Sequence, residues 1–425
     1  MPEQAASAPI EAFREEARAW LSGGPLARTE PSADGADRAW GEGSDSVAVF
    51  HDLPHDEERA LLDRMRAWQR TKYDAGYGAI DWPVELGGRG LSAAHDAAFR
   101  EEELAYDTGS HELVAVTLGL VAPTLRELAS DELRDLLVGP MLRGELLACQ
   151  LFSEPSAGSD LANVSTRATR VDEGAGDEWV VNGQKVWTSG AQFADWGELI
   201  VRTDPDAPKH RGLTAFMVPL DLDGIDIRPL RQMTGGTSFN EVFLDDVRIP
   251  DRYRIGEVGD GWRVALTTLG FERGNSAEQG RVGGDWRRAV DLCRHTGAIE
   301  DPQVRQLLAE AIIAWRLGEV ANARDERDHA RGGAPGAIGS VRKLQWVHRM
   351  ASVSDVARAA LGPRLAVDDG QWGTFAWTQQ LLGVPGYRIA GGSDEIQKNI
   401  IGERVLGLPA EPREARDQPW RTSNR

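Results

Sequence analysis

The chain has 425 residues, too long for a single hydrophobic core, so two or three domains are expected. Hydrophobic residues make up 41% and charged residues 27%, and the 47 glycines and 21 prolines are spread along the chain, which excludes collagen-like and low-complexity classes. A formal net charge of −19 argues against a nucleic-acid partner and against docking on anionic membranes, although a few local cations and backbone N–H groups can still hold a nucleotide ligand.

The two cysteines, Cys149 and Cys293, can build neither a disulfide framework nor a zinc site, and they read as buried free thiols in a reducing cytoplasm. No run approaches the roughly 20 apolar residues of a membrane span. Met1 to Gly24 lacks the basic-then-apolar pattern of a signal peptide, so a cytoplasmic location is expected.

In chain order, Ile10, Phe13, Ala17, Trp20 and Leu21 fall on one face of an amphipathic helix. Thr29–Asp45 reads as a polar loop, Asp56–Asp74 as a helix, and Asp81 to Gly90 as a turn-rich connection. Helices are expected from about Ser92 to Gly144. Near Leu147 the pattern changes to short β-rich runs: Ser165–Arg170, Glu178–Val181, Leu199–Thr203, Leu213–Pro219, Ile225–Pro229 and Glu241–Phe243. Asn182-Gly183 reads as a tight turn between two such runs. Helical periodicity returns from Gly261, as in Val304–Ala323 and Val341–Leu361, with Arg331–Gly336 as a loop between them. The polar tail after Pro409 is expected to fray. The fold class is therefore α+β, with residues 1–146 helical, 147–255 β and 256–425 helical.

Two segments carry chemistry. Leu151-Phe-Ser-Glu-Pro-Ser-Ala-Gly-Ser-Asp160 is a turn of small residues in which Gly158 permits close backbone approach and Ser153 and Ser159 can bond a ligand. Alone, it reads equally well as a structural turn. Val181-Asn-Gly-Gln-Lys-Val-Trp-Thr-Ser-Gly190 sets an aromatic plate, Trp187, two residues before Ser189, so both point to one side of a strand. Alone, it reads equally well as a core tryptophan beside a surface serine.

Together and in this order, the two segments resemble the signatures of acyl-CoA dehydrogenases. The likeness continues through Met233–Pro250, Leu269-Gly-Phe-Glu-Arg273 and Ile389–Gly407, and more weakly through Trp82-Pro83 and Gly87–Gly90, covering about residues 10–410. The resemblance implies an N-terminal helical domain, a middle β-barrel or sandwich domain and a C-terminal four-helix bundle, with FAD between the last two. It places Gln150, Leu151, Phe152 and Ser153 against the isoalloxazine ring. Trp187 and Ser189 would stand beside the flavin, with a hydroxyl near its N5. Ser393 and Glu395 would lie near the FAD pyrophosphate and adenosine, and Ser159 near CoA. Arg273, the arginine that follows the base position, is carried over as a substrate-side residue. The implied reaction desaturates an acyl thioester: a base takes the α proton while a hydride leaves the β carbon for flavin N5.

Many family members carry the base in the C-terminal motif, but here that position is Gly391, which cannot abstract a proton. A minority, similar to isovaleryl- and long-chain-type enzymes, carry it on an earlier helix just before an arginine, which is Glu272 here. The resemblance thus implies Glu272 as the base and the Gly391 backbone N–H as the thioester-oxygen donor. In an apolar pocket, Glu272 is expected to bind its proton more tightly than usual.

The segment Arg294–Gln306 lacks the Phe-Gly that reaches a neighbouring subunit's FAD in homotetrameric members, and Ala359 stands where they have a glutamine. Either a homotetramer or an α2β2 heterotetramer is therefore expected, with an electron-transfer flavoprotein-like acceptor. The competing readings are a base-bearing or non-catalytic subunit of a heteromeric dehydrogenase, and a flavin monooxygenase or oxidase on the same fold. The acyl carrier is CoA by default, with a carrier-protein thioester open. His51 and His55 read as surface residues, Gly383-Val-Pro-Gly386 as a turn, and no metal is expected.

Overall fold

The computed structural model describes residues 9–28, 47–50, 52–171, 177–274, 283–330, 338–367, 374–410 and 417–423. The expected loops Thr29–Asp45 and Arg331–Gly336 lie outside the described residues, as does His51.

The N-terminal part is helical: α1 (Ile10–Ser22), α2 (His55–Asp74), α3 (Ala93–Glu103), α4 (Glu112–Val116), α5 (Ala122–Leu128) and α6 (Asp131–Leu142). Most of the expected apolar stripe of α1 is buried: Phe13, Ala17 and Leu21 pack against Trp68, Tyr77, Ile80 and Phe99 and Trp20 is half-buried, while Ile10, at the helix start, is exposed. On its flank Arg14 and Arg18 pair with Glu101 and Glu102 of α3.

The middle part is one hydrogen-bonded mixed sheet of β1 (Ala148–Leu151), β2 (Arg167–Val171), β3 (Glu178–Ser189), β4 (Trp196–Arg202), β5 (Leu213–Pro219), β6 (Ile225–Leu230), β7 (Phe239–Pro250) and β8 (Arg254–Ile255). The order is β6-β7-β3-β2-β4-β5-β8, with β1 parallel to β4. Its two faces bury different things. Ala148, Ile200, Ala215 and Met217 pack on N-terminal helices and on Val264 and Ala265. Cys149, Leu151, Leu199, Phe216 and Val218 meet Val181, Val242 and Val247 inside the curled sheet.

Asn182-Gly183 is not a turn. It lies within the 12-residue strand β3, at a register shift against β7. A β-carbon at 183 would stand 2.4 Å from Thr166 Oγ1, so the glycine serves a close strand approach. Asn182 exchanges two bonds of 2.9 Å with Asp246, one from its Nδ2 to Asp246 Oδ1 and one to its Oδ1 from the Asp246 N–H. A bulge and a hairpin turn draw on the same two residue types, and only the pairing beyond them tells the two apart.

The C-terminal part contains α7 (Gly261–Gly274), α8 (Trp286–Thr296), α9 (Pro302–Ala330), α10 (Ile338–Leu361), α11 (Thr374–Tyr387) and α12 (Asp394–Ile400). Helices α8 to α11 share a core that includes Leu292, Cys293, Leu308, Trp315, Val353 and Trp377. Gly383-Val-Pro-Gly386 is helical, inside α11. Its glycines admit residues 47–50: a β-carbon at 383 would come within 2.7 Å of Val49.

The tail beyond Pro409 is not wholly frayed. Residues 411–416 lie outside the description, but Trp420 opens a short helix, α13 (Trp420–Ser423), seated on the β domain. Its indole lies over Arg202, 4.7 Å from guanidinium to ring centroid, and its Nε1 donates to Asn163 Oδ1 at 2.8 Å. The ring acts together with backbone bonds from Trp420 and Arg421 to the Ala207 and Pro205 carbonyls and an Arg421–Asp206 ion pair in anchoring a tail whose composition is polar.

Among the described residues no helix is long and apolar enough to cross a membrane, and no cluster of three or more His, Cys, Asp or Glu could hold a metal. Both cysteines are buried and free. Burial pushes the Cys149 thiol up to about 12.

Candidate functional site

The β side of the site begins where β1 ends. Leu151 points its side chain into the curled sheet against Gly197, so only its main chain can face a ligand. Phe152 is buried on the other face, and Gln150 and Ser153 are half-buried. The two motif segments are laced together. The Val186 N–H donates to the Ser153 carbonyl at 2.9 Å. Lys185 Nζ donates to the Phe152 carbonyl at 3.1 Å, to the Ile200 carbonyl at 2.7 Å and to Glu154 Oε1 at 2.8 Å. Glu154 also accepts from the Ser165 and Thr166 N–H groups, at 2.6 and 2.9 Å. Burial works against ionising Glu154, but the Lys185 charge and these bonds win and hold its carboxyl at about 2.

Trp187 follows two residues later, on the second register shift of β3, with φ of 61°. A left-handed tryptophan costs about 1–3 kcal/mol, which the pinned strands on either side sustain. The bulge turns the indole outward: it is 62% exposed, while Thr188 is buried and Ser189 half-buried. Phe239 meets the indole edge-on at 6.1 Å. Two buried polar atoms in these segments lack a hydrogen-bond partner, Gln150 Nε2 and Thr188 Oγ1. A bare indole plate, a half-buried hydroxyl and an unpaired amide on adjoining segments fit a flat ring with polar edges.

The helical side is built from α7 and the turn between α11 and α12. The Thr268 hydroxyl donates to Glu198 Oε1 of β4 at 2.6 Å and lies 3.0 Å from the Thr124 hydroxyl, which ties α7 to the sheet and to α5. Glu198 is fully buried, and burial pushes its carboxyl up to about 8, with the Thr268 bond opposing. Glu272 stands four residues on, one helical turn from Thr268 on the same side.

Gly391 and Gly392 have φ of 63° and 85°. A β-carbon at Gly391 would sit 2.8 Å from Glu272 Oε1. The Glu272 carboxylate therefore lies against the Gly391 backbone, in the space a side chain at 391 would need. Gln397 Nε2 donates to the Gly391 carbonyl at 2.7 Å, and Lys343 Nζ to the Gly392 carbonyl at 2.6 Å. Ser393 caps α12 by accepting from the Ile396 N–H, and Glu395 is exposed.

Of the residues expected from sequence, Glu272 and Gly391 are brought together, as are the Gln150–Ser153 and Trp187–Ser189 segments. Ser159 is exposed, beside the Asp160–Lys209 ion pair at 2.8 Å. The Arg273 side chain lies outside the described residues. Sequence reading singled out none of Lys185, Glu154, Glu198, Lys343 and Gln397. Lys185, Glu154 and Gln397 sit inside the quoted motifs, where their type was the available signal. Glu198 interrupts the otherwise apolar run from Trp196 to Val201.

Three family models match in order: the acyl-CoA dehydrogenase N-terminal domain over residues 51–145, the middle domain over 149–247 and the C-terminal domain over 259–406. The chain belongs to the acyl-CoA dehydrogenase family. It is a flavoprotein oxidoreductase that uses FAD, and its helix–sheet–helix architecture is that of the family. It is 38% identical over 416 residues to acyl-CoA dehydrogenase IpdE1 of Mycolicibacterium smegmatis, covering 95% of this chain and 98% of that protein. Among solved structures it is similar to the Tcur3481-Tcur3483 steroid ACAD, with TM-score 0.72 and 26% identity over 96% of this chain and 99% of that one. It is also similar to the ChsE4-ChsE5 complex from Mycobacterium tuberculosis, with TM-score 0.69 and 25% identity over 96% of this chain and 100% of that one.

Proposed function

We propose that this dehydrogenase desaturates an acyl-CoA between its α and β carbons, with Glu272 as the base. The observation that carries this is the contact geometry of Gly391, whose missing side chain leaves room for the Glu272 carboxylate. An α C–H beside a thioester is a weak acid. It needs a carboxylate at the α proton and a hydrogen-bond donor at the carbonyl oxygen, where charge develops. Glu272 supplies the first and the Gly391 N–H the second. FAD, when bound, accepts the β hydride. Gln150, the Leu151 main chain, Phe152, Ser153, Trp187 and Ser189 would hold its ring. Ser393 and Glu395 would line its pyrophosphate and adenosine end, and Ser159 and Arg273 would meet the CoA side.

The similarity to a steroid ACAD and to a two-protein ACAD complex supports a bulky, ring-bearing acyl group and an α2β2 assembly in which this chain carries the base. The altered Arg294–Gln306 segment agrees with a partner completing the FAD site, and an electron-transfer flavoprotein is the proposed acceptor.

The test is bleaching of the FAD absorbance by a panel of acyl-CoA thioesters of graded length and ring content. Glu272→Gln is expected to keep its FAD and lose bleaching by about 10²–10⁴-fold, the usual contribution of a general base. Bleaching at the parent rate would overturn the assignment. Near-stoichiometric FAD in the chain expressed alone would count against an obligatory partner.

A further inference from the structure

Lys343 is a buried cation at the junction of three elements, and no sequence motif contains it. It stands on α10, with its Nζ donating to the Gly392 carbonyl at 2.6 Å. Asp394 Oδ1 of α12 lies 4.0 Å away. Burial pulls the ammonium's pKa down. The charges of Asp394, Glu272 and Glu395 hold it up, and Arg388 opposes them. The charge of Glu272 on α7 acts on this ammonium and also on the phenol of the half-buried Tyr387 on α11, which feels Glu112 of α4 as well.

The other anchors of the Gly391–Gly392 turn act differently. Gln397 is neutral, and its Nε2 donates to the Gly391 carbonyl at 2.7 Å and, at a longer 3.3 Å, to the Gly392 carbonyl. Arg388 is engaged with Asp394 Oδ2 at 2.8 Å. Lys343 combines a bond to the turn's backbone with a charge felt by Glu272.

From this geometry we infer that Lys343 is a positioning residue of the proton-abstraction site, clamping the Gly391–Gly392 turn through the Gly392 carbonyl and placing a positive charge next to the turn against which the Glu272 carboxylate lies. The inference rests on Glu272 being the base. The clamp adds a short bond to those of Gln397 in fixing the direction of the turn's N–H groups, which a glycine pair restrains least by itself. The charge lowers the proton affinity of a nearby carboxylate, so the base is in its working form at lower pH. A lysine that only filled a polar gap would change stability and leave that affinity alone.

The experiment uses the holoenzyme and 3-thiaacyl-CoA, an analogue with an acidic α proton. Loss of that proton to the enzyme gives a long-wavelength absorbance band without turnover. The band is titrated against pH in the parent, Lys343→Met, Lys343→Gln and Lys343→Arg. The midpoint is expected to rise by about one pH unit in the Met and Gln variants and to return in Lys343→Arg. Lys343→Gln can keep a donor to Gly392, so it separates the charge from the clamp if Lys343→Met does not fold. In both neutral variants kcat is expected to fall by more than KM rises. An unshifted midpoint in a folded, FAD-replete neutral variant would overturn the inference. A band that persists in Glu272→Gln would instead overturn the choice of base.

Discussion

Two carboxylates are buried in the β domain, Glu154 in the loop after β1 and Glu198 on β4, and they end up in opposite states. Glu154 has Lys185, two backbone N–H donors and a serine hydroxyl, and its carboxyl is held at about 2. Glu198 has the Thr268 hydroxyl on one oxygen and no partner on the other, and its carboxyl is driven to about 8. Burial is the first cause acting on both. The difference is a cation within bonding distance. It follows that the two sides of the site are fastened by different physics. The β side is held by an ion pair, and α7, which carries Glu272, is held by an uncharged carboxyl and a hydroxyl.

Breaking the charged side should have the largest effect on stability. Lys185→Met leaves Glu154 buried without its cation, at a cost of about 3–5 kcal/mol. The expected readouts are a lower melting temperature and lost FAD. Adding Glu154→Gln should recover part of the loss, and an unchanged melt in the single variant would mean that the ion pair does not hold the β side.

The uncharged side is sharpened by pH. Glu198 has a folded-state pKa near 8 against an ordinary 4.5. Between those values the folded state keeps a proton that the unfolded chain has released, so stability falls as pH rises through this window. Glu154 works the other way: its contribution is present above about 4.5 and lost as pH falls toward about 2. Glu198→Gln should therefore melt higher than the parent at about pH 8 by a few kcal/mol at most, with the gap closing toward about pH 4.5. Parallel melting curves across that range would argue that Glu198 is already ionised.

Gly391→Ala probes the contact between α7 and the α11–α12 turn within the helical side. Left-handed alanine costs about 1–2 kcal/mol, and its methyl would press on Glu272 Oε1. Flavin bleaching is expected to slow by about 10–100-fold with FAD retained. A rate equal to the parent's would mean that the turn and Glu272 do not need this spacing. Trp420→Ala should cost least, about 1 kcal/mol from the lost stacking on Arg202. Limited proteolysis should then release the tail while kcat is kept. Equal resistance in both proteins would show that the tail does not depend on its tryptophan.

Much of the fold was legible because periodicity is local. The apolar stripe of α1, the β5 run and the long helices α9 and α10 can each be read within a window of a few turns. The errors share one cause. Asn182-Gly183, Gly383–Gly386 and the tail around Trp420 look like a turn, a turn and a frayed end until the segments that pack on them are known: β7 and Thr166, residues 47–50, and Arg202.

The sequence by itself determined the helix–sheet–helix order and the two motif segments, since residue type and spacing are sufficient for each, while the exchange of a glycine at 391 for a glutamate at 272 was what the family resemblance implied. Only the tertiary structure decided which buried groups carry charge. It set Lys185 against Glu154, left Glu198 with a hydroxyl, and brought Lys343 to the turn that faces Glu272. A side chain's charge depends on how much water it loses and which partners replace that water, and here those partners come from distant parts of the chain.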